Sequence, residues 1–243
     1  MTSAESKAPS DGDVGPTFGP WSPRRLFMVL ILAICFTSWT VQFSRQHGRL
    51  ISPPQYDDVV YMNDGADRLE ELYVHGFSGL IRSCYRNPPH SPFSTFVAAV
   101  SFGIFGLQEW APYAGNVLVV FFLIGFADRL LQGCHAVVHG LGLAVVFLLP
   151  LTQFAVFEFR PDFFAGLLIA SGVVSLLATS FVVAPFRHRL LIGVVFGLAF
   201  LAKPPLCPFT AVMLLLSVGL GILCEQLLHR PGFWKAVARG SQV

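Results

Sequence analysis

Charge is what this chain has least of. Asp, Glu, Lys and Arg make up 12% of its 243 residues, against roughly 25% in soluble domains, too few to cover the surface of a water-soluble fold. The formal net charge is only +2 and no long basic stripe appears, which removes nucleic acid from the list of partners. Collagen-like, coiled-coil and wholly disordered readings fail with it. Cysteine is also sparse: the five residues are an odd number, form no C-x-x-C pair, and mostly sit in or beside apolar stretches (Cys35, Cys134, Cys207, Cys224). A disulfide scaffold is excluded, and the four are expected to act as small hydrophobes. An internal repeat relating the two halves is missing as well.

What is present is apolar and comes in blocks. Hydrophobic residues reach 54%, phenylalanine alone numbers 24, and mean hydropathy is +0.64. The runs are continuous rather than periodic, so the expected fold class is all-α, a polytopic membrane protein. Residues 1–23, rich in Ser, Pro, Gly and Asp, read as a disordered cytoplasmic tail. Arg24 and Arg25 then precede an uncharged run at 26–43, long enough for a first span with its basic end inside.

The interval 44–92 is the most polar in the chain and holds Asp57, Asp58, Asp64, Asp67, Glu70 and Glu71. Within it Leu69, Leu72, Tyr73, Phe77 and Leu80 keep helical spacing opposite charged residues, the pattern equally of a helix lying on a membrane surface and of one packed on another loop element. The next apolar run, 93–107, would cover only about 22 Å as a helix. If it crossed, Arg187 and Arg189 would fall outside, against the positive-inside rule. It is therefore expected to be a juxtamembrane or re-entrant helix, so that 44–110 forms one long outer loop. Spans at 111–127, 135–157, 163–184, 190–202 and 209–228 then complete six transmembrane helices, with 229–243 as a basic cytoplasmic tail. The expected location is the cell membrane, with both termini in the cytoplasm.

With that topology four charged clusters share the outer side: Asp57 and Asp58 with Tyr61, Arg86 to His90, Glu158 to Asp162, and Lys203 before Pro204. Adjacent carboxylates beside apolar residues repel one another and can poise one as a base. Ionisable residues at a membrane edge are costly enough to point to a site. His135 and His139 stand one helical turn apart, but at the expected inner end and without a glutamate, so they read as a polar helix start. No metal and no cofactor is expected.

In order and spacing these clusters resemble the lipid-linked-sugar glycosyltransferases of the GT-C fold, in the branch of the dolichyl-phosphate-mannose protein mannosyltransferases, the RgtA/B/C/D-like enzymes and the aminoarabinose transferases. Asp57-Asp58-x-x-Tyr61 is similar to that family's Asp-Glu-x-x-Tyr. Pro88-Pro89-His90 with Phe102-Gly103-Ile104-Phe105-Gly106 and Glu109 resembles its Pro-Pro and Phe-Gly-acidic elements. Arg160-Pro161-Asp162 resembles its second-loop aspartate, and Gly197-Leu198 with Lys203-Pro204 its Gly-Leu-x-x-x-x-Lys signature. Asn87 stands where a lysine is common, and family members are about twice as long. The chain thus resembles an N-terminal catalytic half, either truncated or one piece of a split protein whose partner chain would supply further spans.

The resemblance implies inverting transfer of a sugar from a polyprenyl-phosphate carrier to a hydroxyl of a lipid, glycan or protein acceptor. Asp57 would be the general base, and Asp58 would orient the acceptor or tune Asp57. Asp162 and Glu158 would form the acidic side of the cavity. Lys203, Arg86 and Arg160 would bind the donor phosphate. Two other readings are an inactive remnant or subunit of such an enzyme, and a secondary transporter with a broken helix at Lys203-Pro204-Pro205.

Overall fold

The first helix, α1 (Pro23–His47), starts where the Ser22 hydroxyl accepts a hydrogen bond from the Arg25 backbone N–H at 3.2 Å, and Pro23 supplies a preset φ at the first helical position. In the computed structural model the described residues are 22–54, 57–178 and 185–228. The expected tails at 1–23 and 229–243 lie almost wholly outside them, apart from Ser22 and Pro23, as does the end of the expected span 163–184. Every regular element among the described residues is helical, in agreement with the all-α reading.

Helix α2 (Asp57–Arg86) is not the straight surface helix that its pattern predicts. Gly76 takes φ +66°, ψ −167° and breaks it, a conformation that glycine adopts without strain. Beyond the break the chain folds back. A guanidinium N–H of Arg68 donates to the Asn87 carbonyl, two positions that an unbroken helix would hold about 28 Å apart. The apolar stripe is divided accordingly: Leu69 packs against the core, while Leu72, Tyr73 and Phe77 are exposed.

Helix α3 (Pro92–Phe105) begins on the Ser91 cap and ends at Gly106 with φ +77°. It lies so close to α2 that a Cβ on Gly65 would stand 2.4 Å from Ala98 Cβ and 3.0 Å from the Ala99 backbone nitrogen. Then follow α4 (Ala111–Gly115), α5 (Val117–Leu130), α6 (Ala136–Leu148), α7 (Pro150–Phe157), α8 (Pro161–Ala178), α9 (Phe186–Ala202) and α10 (Cys207–Leu228). Pro150 cannot donate to the turn before it, and α6 and α7 meet there at a bend of 51°.

Among the described residues three stretches are long and apolar enough to cross a bilayer: Pro23–His47, Ala111–Leu130 and Pro204–Cys224. The bent pair α6 and α7 makes a fourth if taken as one span. The six expected spans are therefore not all borne out. Over the described residues α8 contributes only the apolar stretch Pro161–Leu177, and α9 has 17 residues with Arg187 and Arg189 in its first turn. Helix α3, at 14 residues, is about 21 Å long, short for a span as expected.

Two apolar cores hold the helices together. One joins Val29 and Ala33 of α1, Tyr61 and Met62 of α2, Val97 and Phe102 of α3, and Val120 and Ile124 of α5. The other joins Phe164, Leu168 and Ile169 of α8 to Ile192, Phe196 and Ala199 of α9. Phe93 of α3 stacks on Phe164 of α8 at 4.0 Å and links the two. Large apolar side chains such as Phe27, Trp39, Leu148, Leu201 and Leu215 remain on the outside, a surface compatible with a membrane location.

Candidate functional site

The turn after α1 delivers Arg49 to the start of α2 and to the α7–α8 connection at once. One guanidinium nitrogen lies 3.1 Å from Asp58 Oδ2. The other donates to the Phe157 carbonyl at 3.0 Å and lies 2.5 Å from Glu158 Oε1. Asp58 has no exposed surface. Its Oδ2 also accepts from the Tyr113 hydroxyl at 2.8 Å, while Oδ1 is buried without a hydrogen-bond partner. Burial pushes the Asp58 carboxyl above the usual carboxylate range, against the opposing pull of Tyr113 and Arg49.

Glu158 is held from two sides, with Arg160 Nε 3.0 Å from its Oε2. The Asn116 side-chain amide fixes the same connection by donating to the Val156 carbonyl at 3.1 Å and the Glu158 carbonyl at 3.3 Å. Asp162 opens the first turn of α8, where a carboxylate is favoured by the helix dipole, and pairs with Lys203 at the end of α9. The Ser91 hydroxyl donates to the Ala202 carbonyl at 2.7 Å, so the cap of α3 is fastened beside Lys203.

Tyr61 stands among these charges. Its hydroxyl is pushed above the ordinary tyrosine value first by burial and then by the neighbouring Asp57 and Asp162 carboxylates, with Arg160 opposing. Asp57 itself is exposed at the first position of α2. Thus Asp57, Asp58, Glu158, Arg160, Asp162 and Lys203, drawn from three distant stretches of sequence, occupy one end of the helix bundle.

Next to them opens a cleft of about 760 Å³ between α5, α7 and α8. Leu123, Phe126, Leu151, Phe154 and Leu167 line its body, and Glu158, Arg160 and Asp162 line it at the charged end. Arg86 does not line this cleft; it lines a separate pocket between the arms of α2. Among the described residues no three His, Cys, Asp or Glu side chains gather as a metal-ligand set.

Sequence reasoning missed Arg49 and Tyr113. Arg49 is one arginine in a basic stretch, and its only advance signal is the need of a buried aspartate for a cation. Also missed was a second cluster at the other end of α1. There Asp128 pairs with Arg25 at 2.7 Å and with His139 Nε2 at 3.0 Å, while His135 caps α6 by accepting from the Val137 N–H.

Comparison with protein-family models, with curated proteins and with solved structures finds no match for this chain.

Proposed function

We propose that the protein is a membrane glycosyltransferase that moves a sugar from a polyprenyl-phosphate carrier to an acceptor hydroxyl on the outer face of the cell membrane, as an inverting enzyme. The observation that carries this reading is the cleft: apolar walls continuous with a charged end at Glu158, Arg160 and Asp162 suit a ligand that is a long hydrocarbon at one end and a phosphodiester at the other. Ligand sites commonly combine such walls with a few convergent polar groups, within about 300–1,000 Å³.

In this reading Asp57, exposed at the start of α2, takes the proton of the acceptor hydroxyl as its oxygen bonds to the anomeric carbon. The bond from that carbon to the carrier phosphate breaks on the opposite side, and the leaving phosphate gains negative charge. Arg160 and Lys203 supply the compensating cations. Both are already paired, with Glu158 and Asp162, so the donor phosphate competes with those carboxylates for them. Asp58, held by Arg49 and Tyr113, fixes the start of α2 and with it the direction of Asp57.

A second reading, a subunit or remnant without activity of its own, is favoured by that same internal pairing of the two cations. The test is sugar transfer by the purified full chain in proteoliposomes, supplied with polyprenyl-phospho-hexose or polyprenyl-phospho-pentose donors and membrane acceptors. Asp57→Asn is expected to lower the rate by about 10²- to 10⁴-fold, the range of a lost general base. Full activity in that variant with normal insertion would remove Asp57 from the role, and no transfer by the wild type with any donor would favour the subunit reading.

A further inference from the structure

The fold-back of α2 at Gly76 encloses a second pocket, of about 370 Å³, between its two arms. Asp67, Arg68, Glu70, Glu71 and His75 line it from the first arm, and Ser83, Arg86 and Asn87 from the second and its end. Arg68 is 6% exposed, and its Nε is buried with no hydrogen-bond partner. Leaving that N–H without an acceptor is costly, and the same side chain lines the pocket. Arg86 is exposed at the same pocket and makes no ion pair among those found in the described residues.

The charges are mixed in a way that selects the ligand. A simple anion would be opposed by Asp67, Glu70 and Glu71, and a simple cation by Arg68 and Arg86. A ligand bearing both signs satisfies each set. Its cationic end must donate hydrogen bonds to carboxylates. A quaternary ammonium has no N–H to give and is recognised by cages of Trp, Tyr or Phe, whereas none of these lines this pocket among the described residues.

The same hairpin carries an apolar tip. Tyr73 is 75% exposed, Val74 65% and Phe77 70%. Tyrosine and phenylalanine at a polar–apolar boundary are the side chains that settle into a bilayer interface. With the tip in that layer, a pocket between the arms stands at headgroup level.

We propose that this pocket binds the headgroup of a zwitterionic aminophospholipid, with the phosphodiester against Arg68 and Arg86, the primary ammonium against Glu70 and Glu71, and the tip seated in the bilayer. The site is separate from the cleft of the proposed transfer reaction and does not depend on that reading.

The full chain, purified in detergent, is incubated with dilauroyl phosphatidylethanolamine or dilauroyl phosphatidylcholine, and retained lipid is read by native mass spectrometry. Retention of the ethanolamine lipid should exceed that of the choline lipid by about tenfold, the size of one charge-assisted hydrogen bond. The double variant E70Q/E71Q should bring the ratio close to one, and Arg86→Gln should lower retention of both lipids. All three are side chains at the pocket's accessible edge, so folding is not at issue. Equal retention by the wild type, or an unchanged ratio in E70Q/E71Q, overturns the proposal. So does binding of soluble glycerophosphoethanolamine as tight as that of the lipid, which would assign the pocket to a free metabolite. A photo-crosslinker placed at Phe77 that captures a polypeptide instead of lipid would overturn it too, by showing the tip docked on protein.

Discussion

The Arg49 guanidinium lies 3.1 Å from the fully buried Asp58 carboxylate, and this contact joins the exit of α1 to the first turn of α2. The same guanidinium holds Glu158 and the Phe157 carbonyl. A planar fork with several donors can serve three acceptors in different directions, which a lysine ammonium at the end of a flexible stem does less well. One side chain therefore sets the relative positions of the acidic helix start and of the connection that forms the charged end of the cleft.

Loss of that fork should be felt as stability. Arg49→Met leaves Asp58 buried without a cation, a change expected to cost about 3 kcal/mol. Arg49→Lys should fall between it and the wild type, keeping the charge but not all of the contacts. Thermal unfolding of the three proteins in the same detergent measures this. Equal midpoints for Arg49→Met and wild type would mean that the pairing contributes nothing.

Asp58 also gives the fold a pH dependence of definite sign. Its folded-state pKa is raised by burial above the ordinary value of 3.8, so the folded chain binds this proton more readily than the unfolded chain. Its contribution is most favourable below 3.8 and is lost as pH rises through the raised value. The stability difference, wild type minus Asp58→Asn, should fall with rising pH across that window and level off above it. Groups common to both proteins cancel in the difference. Parallel curves for the two proteins would contradict the assigned shift.

The cleft can be filled without disturbing the packing. Gly166 of α8 lines it, and a Cβ there meets nothing within 4 Å. Gly166→Leu should therefore change stability by no more than about 0.5 kcal/mol. On the proposed reading the new side chain occupies the walls that take the carrier, so retention of a polyprenyl phosphate by the purified protein should drop by about tenfold or more, a loss on the scale of a few displaced methylene contacts. Unchanged retention would show that the chain of the lipid lies elsewhere.

Much of the candidate site is legible in the sequence. Asp57, Asp58, Glu158, Arg160, Asp162 and Lys203 stand out because charges are rare in this chain and cluster at the ends of apolar runs. Arg86 stood out for the same reason, yet the fold-back of α2 carries it into a different pocket. That outcome depended on Gly76, whose positive φ leaves no mark on hydrophobic periodicity. The count of six spans goes unconfirmed for a related reason. A window of apolar residues reports composition, whereas Pro150 and the short α9 change how far a helix runs.

By itself the sequence determined the helical class, the apolar exterior and the inventory of charged groups, since these follow from composition and from the solvation cost of each residue. Tertiary structure alone decided which of those groups meet. Asp58 chose Arg49 and Tyr113, Lys203 chose Asp162, and Asp128 drew Arg25 and His139 together at the far end of α1. A buried charge must find an opposite charge or a donor, but which one lies within reach is set by how the helices bend and pack.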